Sequence, residues 1–346
     1  MEKTDGALMN RMRKSNFELL RITSMYCIIL YHLIYFFIEP LRSEVLYWKA
    51  VQIPLHIGVL LFVMISGYFQ IKTSLKGVVH ILIITFVYYV PVEIIIDILN
   101  GNYDTILKHL MFLSNGPYWF ISTYLMLYLL APVINLFTSI SSQKRYYLTV
   151  VTGIFAVYFG SFSHDLSLLG GKNIINFIFL YLLGYNIKVN KCQFEQIKIR
   201  YPVIVFCLLN TLSIISYINQ MSIPGGVIMI AFEYCSPLLI ISALCVFVVF
   251  LRFEFKSIVI NYISKSAFSM YLIHHQPHFL AMVLYPICFY LHMRITSDIT
   301  LFFCLSAITI AVMVLCLFID KVIEPLCATI ERHLLNFLRP NNEIFC

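Results

Sequence analysis

FELLRITSMYCIILYHLIYFFI, residues 17–38, is an almost unbroken apolar run that follows a polar and basic segment at residues 1–16. An α-helix needs about 20 mostly apolar residues to cross a bilayer. The run has this length, and no small-residue cleavage site follows it. It therefore predicts a membrane-spanning helix that stays in the protein rather than a removable leader.

Similar apolar runs continue along the chain with no polar block between them. Of the 346 residues, 60% are hydrophobic and 12% are charged, whereas soluble domains carry about 25% charged residues. We therefore predict one all-α domain, a polytopic membrane helical bundle with about ten transmembrane helices. The predicted spans are residues 17–38, 50–70, 78–98, 118–138, 147–163, 173–189, 201–219, 227–251, 266–291 and 299–320.

The basic residues give an independent test of this topology, because short cytoplasmic loops hold an excess of lysine and arginine. Ten spans place 19 of the 24 basic residues on the side of the two termini and 5 on the other side. The distribution predicts that both the N and the C terminus are cytoplasmic. The net charge of +7 is thereby attributed to topology and to membrane lipids, and no nucleic-acid partner is expected.

The chain divides into a cytoplasmic N-terminal segment at 1–16, a transmembrane domain at 17–320 and a cytoplasmic interfacial tail at 321–346. The tail mixes apolar and charged residues, as an amphipathic helix on a membrane surface does. The ten cysteines are scattered without a CxxC pair or a Cys/His cluster. This pattern favours neither a disulfide framework nor a zinc site.

The first span holds three ionisable residues: Glu18, Arg21 and His32. Each costs about 2.5–3.5 kcal/mol to insert and so calls for a partner or a function. In a helix, Arg21 and His32 lie within about 20° of one another and about 16.5 Å apart along the axis. Glu18 lies one turn before Arg21 and can pair with it.

Two interpretations of these residues remain open. The charge pair can be an ordinary one at the inner edge of the membrane, and His32 can be a structural histidine bonded to a neighbouring helix. His32 lies too deep to reach the interface, however. Neutral imidazole is suited to take up and return a proton, which makes His32 a candidate general base.

The second span ends at Ser66-Gly67-Tyr68 and is followed by a loop with Lys72 and Lys76. If this loop is helical, the two lysines share a face and can bind an anionic cytosolic ligand. The usual excess of positive charge in inner loops explains them equally well. In the fourth span, Pro132 removes an amide and leaves the carbonyl of Tyr128 in need of another partner.

The ninth span contains His274, His275 and His278 around a proline. His274 and His278 are four residues apart, a spacing that can place two metal ligands on one helix face. No third ligand is evident, so we expect these histidines to pack or to line a cavity, and we expect no metal. Trp119 opens the fourth span as part of an aromatic belt. Glu324, just past the last span, can meet Arg21 or face water.

These motifs resemble the acyltransferase 3 family of bacterial membrane acyltransferases. The most specific match is Asn16 to Arg21 (NFELLR) followed by His32 after ten intervening residues. The shorter matches are Ser66-Gly67-Tyr68, Trp119-Phe120, Leu182-Leu183-Gly184-Tyr185, SAFSMYLIH at 266–274 and Glu324-Pro325.

The resemblance implies an O-acyltransferase, with acetyl as the expected group, in the bacterial cytoplasmic (inner) membrane. The donor would be cytosolic acetyl-CoA, the acceptor a hydroxyl of a cell-surface polysaccharide or a lipid-linked glycan precursor. His32 would be the base or a transient acyl carrier, and Arg21 would hold the donor, both lining one water-accessible chamber. The remaining site residues would be Lys72, Lys76, Ser66 and Tyr68 for the donor, and Glu18, Trp119, His274 and Glu324 in the cavity.

The chain departs from the family pattern in two places. Many relatives have arginines in the loop that here holds Lys72 and Lys76, which weakens the expectation of bidentate phosphate contacts. Some relatives also carry a hydrolase-like domain after the last helix, and the sequence to residue 346 has none. We therefore expect acyl transfer to be completed within the bundle or by a separate partner.

Two other classes of protein share this topology. A proton-coupled transporter or flippase of an envelope glycan precursor would use Arg21, His32 and His274 to line a path. Against this class, the sequence shows neither inverted halves nor paired broken helices. A polysaccharide polymerase or ligase would be expected to have a large outer loop, whereas the longest predicted outer loop spans only about residues 99–117.

Overall fold

The computed structural model describes residues 14–43, 45–114, 116–160, 169–222 and 233–338. Residues 1–13 of the N-terminal segment, residues 339–346 of the tail, and parts of the fifth and eighth predicted spans lie outside the described residues. Every regular element in the described part of the chain is helical, which confirms the all-α prediction.

The helices of the described residues are numbered in chain order. They are α1 Ser15–Leu33, α2 Val45–Leu55, α3 Ile57–Phe69, α4 Leu75–Asn100, α5 Ile106–Leu110, α6 Trp119–Ile140, α7 Ser142–Ile154, α8 Ile174–Val189, α9 Lys191–Gln196, α10 Arg200–Ser222, α11 Pro237–Leu251, α12 Ile258–Ser264, α13 Ala267–His274, α14 Pro277–Phe279, α15 Tyr285–Arg294 and α16 Asp298–Leu338. Short π-helical turns continue α1, α7 and α14 at Ile34–Ile38, Phe155–Phe159 and Leu280–Leu284.

The protein is a multi-pass membrane protein. Six helical stretches among the described residues are long and apolar enough to cross a bilayer: Ser15–Leu41, Leu46–Phe69, Leu75–Asn100, Trp119–Ile140, Arg200–Asn219 and Asp298–Leu338. α8 and α11 are shorter apolar helices. At the fifth and ninth predicted spans the helices are interrupted or irregular. The count of about ten crossings and the cytoplasmic termini therefore remain predictions.

α1 lies inside the bundle, where it packs against α3, α11, α12, α13 and α16. Leu20, Ile29 and Leu33 of this helix are fully buried. Because α1 is regular from Ser15 to Leu33, Arg21 and His32 share a face about 16.5 Å apart along the axis. The structure therefore has the continuous helix on which the predicted spacing of this pair depends.

α3 and α8 touch through their backbones. A Cβ atom at Gly67 would lie 1.9 Å from the carbonyl oxygen of Tyr181, and one at Gly184 would lie 2.0 Å from that of Met64. Small residues permit such close approach between membrane helices. Two of the short motifs therefore have a structural role, since each glycine makes room for the other helix.

Pro132 leaves α6 continuous. The carbonyl of Tyr128, which has no amide partner from position 132, accepts a hydrogen bond of 2.6 Å from the hydroxyl of Thr73. The side-chain amide of Asn135 donates a second bond, to the carbonyl of Ile71 at 3.1 Å. The carbonyl that the sequence predicts to be freed is thus bonded, and the loop before α4 is fixed to α6.

The last helix is longer than the last predicted span, 299–320, and continues into the predicted tail. α16 has 41 residues and runs without interruption from Asp298 to Leu338, through Pro325. No glycine occurs between residues 321 and 338, so proline is the only helix-breaking residue there. Residues 321–338 consequently extend the same helix that forms the last predicted span.

Candidate active site

α1 carries a charged cluster near its N-terminal end. Nη1 of Arg21 donates to both carboxylate oxygens of Glu18, at 2.8 and 2.7 Å. The hydroxyl of Ser264 on α12 donates to the same carboxylate at 2.7 Å. The predicted pairing of Glu18 with Arg21 is confirmed. Because these bonds use Nη1, the guanidinium keeps other N–H donors that can meet an anionic or carbonyl group.

The end of α3 lies beside this cluster. The ring of Phe69 is 5.9 Å from the guanidinium carbon of Arg21. The hydroxyl of Ser66 is 3.2 Å from that of Tyr124 on α6. Tyr68 is buried among aromatic rings, so it shapes the packing around the cluster.

Lys72 and Lys76 do not form the patch that a helical loop would create. Residues 70–74 are not helical, and α4 begins only at Leu75, so the spacing of four residues does not place the two lysines on one helix face. Lys72 is exposed. Nζ of Lys76 lies 3.7 Å from the carboxylate of Glu331 on α16.

A cleft of about 800 Å³ lies between α4, α16 and the start of α13. Glu324 lines it, is exposed, and pairs with Lys321 at 2.9 Å. Glu324 was expected either to meet Arg21 or to face water. The structure has the second arrangement, since Arg21 pairs with Glu18. The ionisable residues that line the cleft are Lys76, His80, Lys265, Asp320, Lys321, Glu324, Glu331 and Arg332.

A chain of hydrogen bonds connects α1 to α13 near the other end of α1. Nδ1 of His274 lies 2.6 Å from the carbonyl oxygen of Met270, and because a carbonyl only accepts, this nitrogen carries a proton. In the neutral ring, Nε2 of His274 is then an acceptor. It lies 3.0 Å from Nδ1 of His32, which must donate. Nε2 of a neutral His32 is therefore left with its lone pair.

An interruption in the ninth predicted span positions His274. A proline restricts the residue before it to extended backbone, and Gln276, before Pro277, has φ −65° and ψ 127°. α13 therefore ends at His274. The side chain of Gln276 donates to Glu93 on α4 at 2.9 Å, which ties the interruption to a second helix.

Because of the same interruption, the prediction that His274 and His278 share one helix face is wrong. His278 lies beyond the break and approaches Glu93 instead, at 3.4 Å. His275 takes its place near His32, with ring centroids 4.7 Å apart. One ring nitrogen from each of His32, His274 and His275 lies within 4.8 Å of the other two. The sequence did carry a signal for this cluster, since the proline at 277 marks a helix end.

His32 also lines a small cavity of about 20 Å³. Trp119 lies on its wall, with its ring 5.4 Å from Tyr234 and the ammonium of Lys172 5.5 Å above it. This cavity is large enough for about one water molecule. The residues that line it are Ile28, Tyr31, His32, Leu55, His56, Val59, Trp119, Phe120, Tyr234 and Tyr271.

The space between Arg21 and His32 is largely filled. Met25 and Ile28 lie between them on α1 and line a second cavity of about 30 Å³. Neither this cavity nor the one at His32 reaches Arg21. In the described part of the chain, the two cavities beside Met25 and His32 are small and do not connect His32 with Arg21, because apolar side chains from α1, α3, α6 and α13 line them.

The described residues form an all-helical membrane bundle in which Arg21 and His32 lie on one helix and His32 bonds to His274 of another. The family model described as an acyltransferase domain matches residues 14–318, nearly the whole chain. The chain therefore belongs to the acyltransferase 3 family and is a membrane acyltransferase. No curated protein and no solved structure matches it.

Proposed function

We propose that the protein is an O-acyltransferase that moves an acetyl group from cytosolic acetyl-CoA to a hydroxyl of a cell-surface polysaccharide or of its lipid-linked glycan precursor. The proposed location is the bacterial cytoplasmic membrane, where a cytosolic donor and a lipid-linked acceptor can meet. Family membership supports the reaction class. The residues on α1 and α13 support the assignment of the chemistry.

The observation that carries the proposal is the lone pair on Nε2 of His32, which follows from the bonds through His274 to Met270. Nε2 takes the proton of the acceptor hydroxyl while its oxygen attacks the acyl carbonyl carbon. A C–O bond forms and the C–S bond of the thioester breaks. His32 then returns the proton to the leaving thiolate. General-base catalysis of this kind contributes about 10²–10⁴-fold, and it needs no metal.

The same lone pair supports a second route through a covalent intermediate. Nε2 of His32 attacks the acyl carbon, the CoA thiolate leaves, and the acyl-imidazole passes its acyl group to the acceptor hydroxyl. Labelled acyl group retained on the rapidly quenched protein in the absence of acceptor would favour this route. A protein that holds no label under those conditions would favour the general base.

Arg21 is proposed to hold the donor. Glu18 and Ser264 fix its guanidinium, and the remaining N–H donors suit a phosphate or carbonyl oxygen. Lys72, Lys76 and Ser66 are proposed as further contacts of the donor. A phosphate at Lys76 must compete with Glu331, whose carboxylate lies 3.7 Å away.

The donor's acyl group must pass Met25 and Ile28 to reach His32. Methionine has three rotatable side-chain bonds and adapts its shape readily. Met25 and Ile28 line the small cavity between the two residues, so rotation of these side chains is proposed to extend that cavity toward both Arg21 and His32. Binding of the donor is proposed to drive this rotation, which places the thioester at His32 while its phosphates stay near Arg21.

The proposal is tested with acetyl-CoA labelled in the acyl group and with membranes that contain the protein and the acceptor glycans. We expect label to enter the glycans with the unaltered protein and to fall at least about 100-fold with His32→Ala. Arg21→Ala should raise the KM for the donor. The matched control is His333→Ala, an exposed histidine of α16, which should retain activity. Undiminished transfer by His32→Ala would contradict the assignment, and membranes that move glycan precursor without transferring label would favour a transporter.

A further inference from the structure

The histidine cluster of His32, His274 and His275 has a feature that acyl transfer does not use. His275 contributes a ring nitrogen to the cluster but no part of the hydrogen-bond chain from His32 to Met270. Its Nδ1 is buried and has no hydrogen-bond partner among the described residues. A buried acceptor without a donor costs about 1–3 kcal/mol, so this nitrogen calls for an occupant.

The outer bonds of the cluster are those of metal-binding histidines. A ligating histidine usually donates its second ring nitrogen to a backbone carbonyl or a carboxylate, which fixes the nitrogen that faces the metal. His274 donates Nδ1 to the carbonyl of Met270. The ring of His275 interacts with the backbone carbonyl of Pro117, and its Nδ1 is the unpartnered nitrogen. The lone pair on Nε2 of His274 faces His32, and the unpartnered Nδ1 of His275 gives that ring a nitrogen that can bind an ion.

The dimensions also suit a small divalent ion. Zn²⁺ binds imidazole at about 2.0–2.1 Å, so the nitrogens of a tetrahedral site lie about 3.4 Å apart. His32 and His274 already have nitrogens 3.0 Å apart, and all three lie within 4.8 Å. Small side-chain rotations of His275 can close this difference. His32 and His275 are only partly buried, and the cavity of about 20 Å³ beside His32 has room for about one water molecule as a fourth ligand.

We propose that His32, His274 and His275 form a Zn²⁺ site whose occupation switches the acyltransferase off. Imidazole ligands select Zn²⁺ over Mg²⁺ or Ca²⁺, which prefer oxygen. An ion on Nδ1 of His32 displaces its proton, and the neutral ring then carries its proton on Nε2. An ion on Nε2 takes the lone pair directly. In either case His32 has no base to offer, so metal binding and acyl transfer exclude each other.

The binding test uses the full-length protein purified in detergent and freed of metal with a chelator. We expect one Zn²⁺ per chain by equilibrium dialysis and metal analysis. His275→Phe, which keeps an aromatic ring beside His32, should weaken binding at least about 100-fold, since loss of an outer hydrogen bond alone costs about 10–100-fold. The matched control His292→Phe changes a half-buried histidine outside both the cluster and the cavity at His32 and should bind as the unaltered protein does.

Equal binding by both variants would place the ion elsewhere, for example at the exposed Cys192 or Cys207, and would overturn the proposal. A second measurement holds even where His275→Phe fails to fold. X-ray absorption of the Zn²⁺-loaded, unaltered protein should show nitrogen or oxygen ligands at about 2.0–2.1 Å, with imidazole scattering beyond them. A sulfur shell at about 2.3 Å would contradict the site.

The inhibitory part rests on the proposed function and has its own measurement. Acyl transfer by the unaltered protein should fall as Zn²⁺ fills the site and should return when chelator is added. Each variant is compared with its own metal-free rate, and His275→Phe should resist inhibition. Binding at the cluster without loss of activity would contradict the role of His32 as the base. Binding by a protein that transfers no acyl group would leave the site standing and would contradict the acyltransferase reaction instead.

Discussion

The protonation of His32 depends on a side chain that lies 242 positions away in sequence. His274→Leu removes the acceptor for Nδ1 of His32, so the ring loses the bond that leaves Nε2 free. A general base contributes about 10²–10⁴-fold to the rate. We therefore expect kcat to fall by as much as this factor, with little change in the KM for acetyl-CoA. Initial rates of label transfer at varied donor concentration measure this separation.

A conservative variant distinguishes positioning from simple packing at this site. The amide oxygen of His274→Gln can accept from Nδ1 of His32, so this variant should recover part of the activity that His274→Leu loses. Both variants should first be shown to unfold at similar temperatures. Equal activity of the two folded variants would show that the hydrogen bond at position 274 does not control His32.

Glu18 contributes to stability through Arg21. Glu18→Gln keeps the volume but leaves a cation without its carboxylate, and Ser264 without a charged acceptor. Because Arg21 is 25% exposed, we expect a loss of about 1–3 kcal/mol rather than the larger cost of a fully buried pair. The matched control is Glu324→Gln, whose exposed pair with Lys321 should be worth less than about 1 kcal/mol. Unfolding in detergent measures both, and equal losses would contradict a special role for the Glu18–Arg21 pair.

The sequence was informative about residues whose partners are local. The pairing of Glu18 with Arg21 follows from helix spacing, and so does the shared face of Arg21 and His32. The bond from His32 to His274 joins distant parts of the chain, and no spacing rule reaches that far. The same limit explains why Glu324 faces water and why Lys76 meets Glu331.

At the level of helices, the glycine contact between α3 and α8 makes a direct prediction. Gly67→Ala and Gly184→Ala would each place a methyl group against a backbone carbonyl of the other helix. A backbone carbonyl cannot rotate out of the way as a side chain can, so the two helices must separate. We expect each substitution to lower the free energy of unfolding by about 2 kcal/mol or more. Thermal unfolding in detergent is the measurement.

The control for this pair is Gly153→Ala. The added methyl group there would meet the ring of Phe179 at 2.7 Å, and a ring can rotate away. Its cost should therefore be clearly smaller than that at Gly67 or Gly184. Equal costs at the three positions would mean that local helix stability rather than close packing decides the outcome.

Apolar length predicted most of the elements, and local backbone chemistry decided where the prediction was wrong. Composition alone marks α1, α4 and α6 as spans. The interruption at Gln276 depends on the proline that follows it, and it separates His274 from His278. A hydropathy count cannot place such a break, because it averages over the whole span and does not take account of the backbone restriction that the proline imposes.

For the whole molecule, the number of crossings can be tested at two internal points. Ten crossings put Lys172 on the outer side and Lys256 in the cytoplasm, whereas the six long helices alone would put them the other way round. We expect alkaline phosphatase to be active when fused after Lys172 and inactive when fused after Lys256, since the enzyme matures only outside the cytoplasm. The opposite pattern would contradict the ten-span topology. Fusions after Gly101, outside in both schemes, serve as the positive control.

The length of α16 ties the cleft to the membrane. With 41 residues it measures about 62 Å, about twice the thickness of the hydrocarbon layer. Because the helix is continuous, its far half cannot turn about the helix axis independently of the half that is packed in the bundle. One extra residue inserted after Val322 would turn every later side chain by about 100°. Glu331 would move away from Lys76 and from His80, whose Nδ1 lies 2.9 Å from its carboxylate, and the cleft would lose that acidic group while the fold around His32 stays intact.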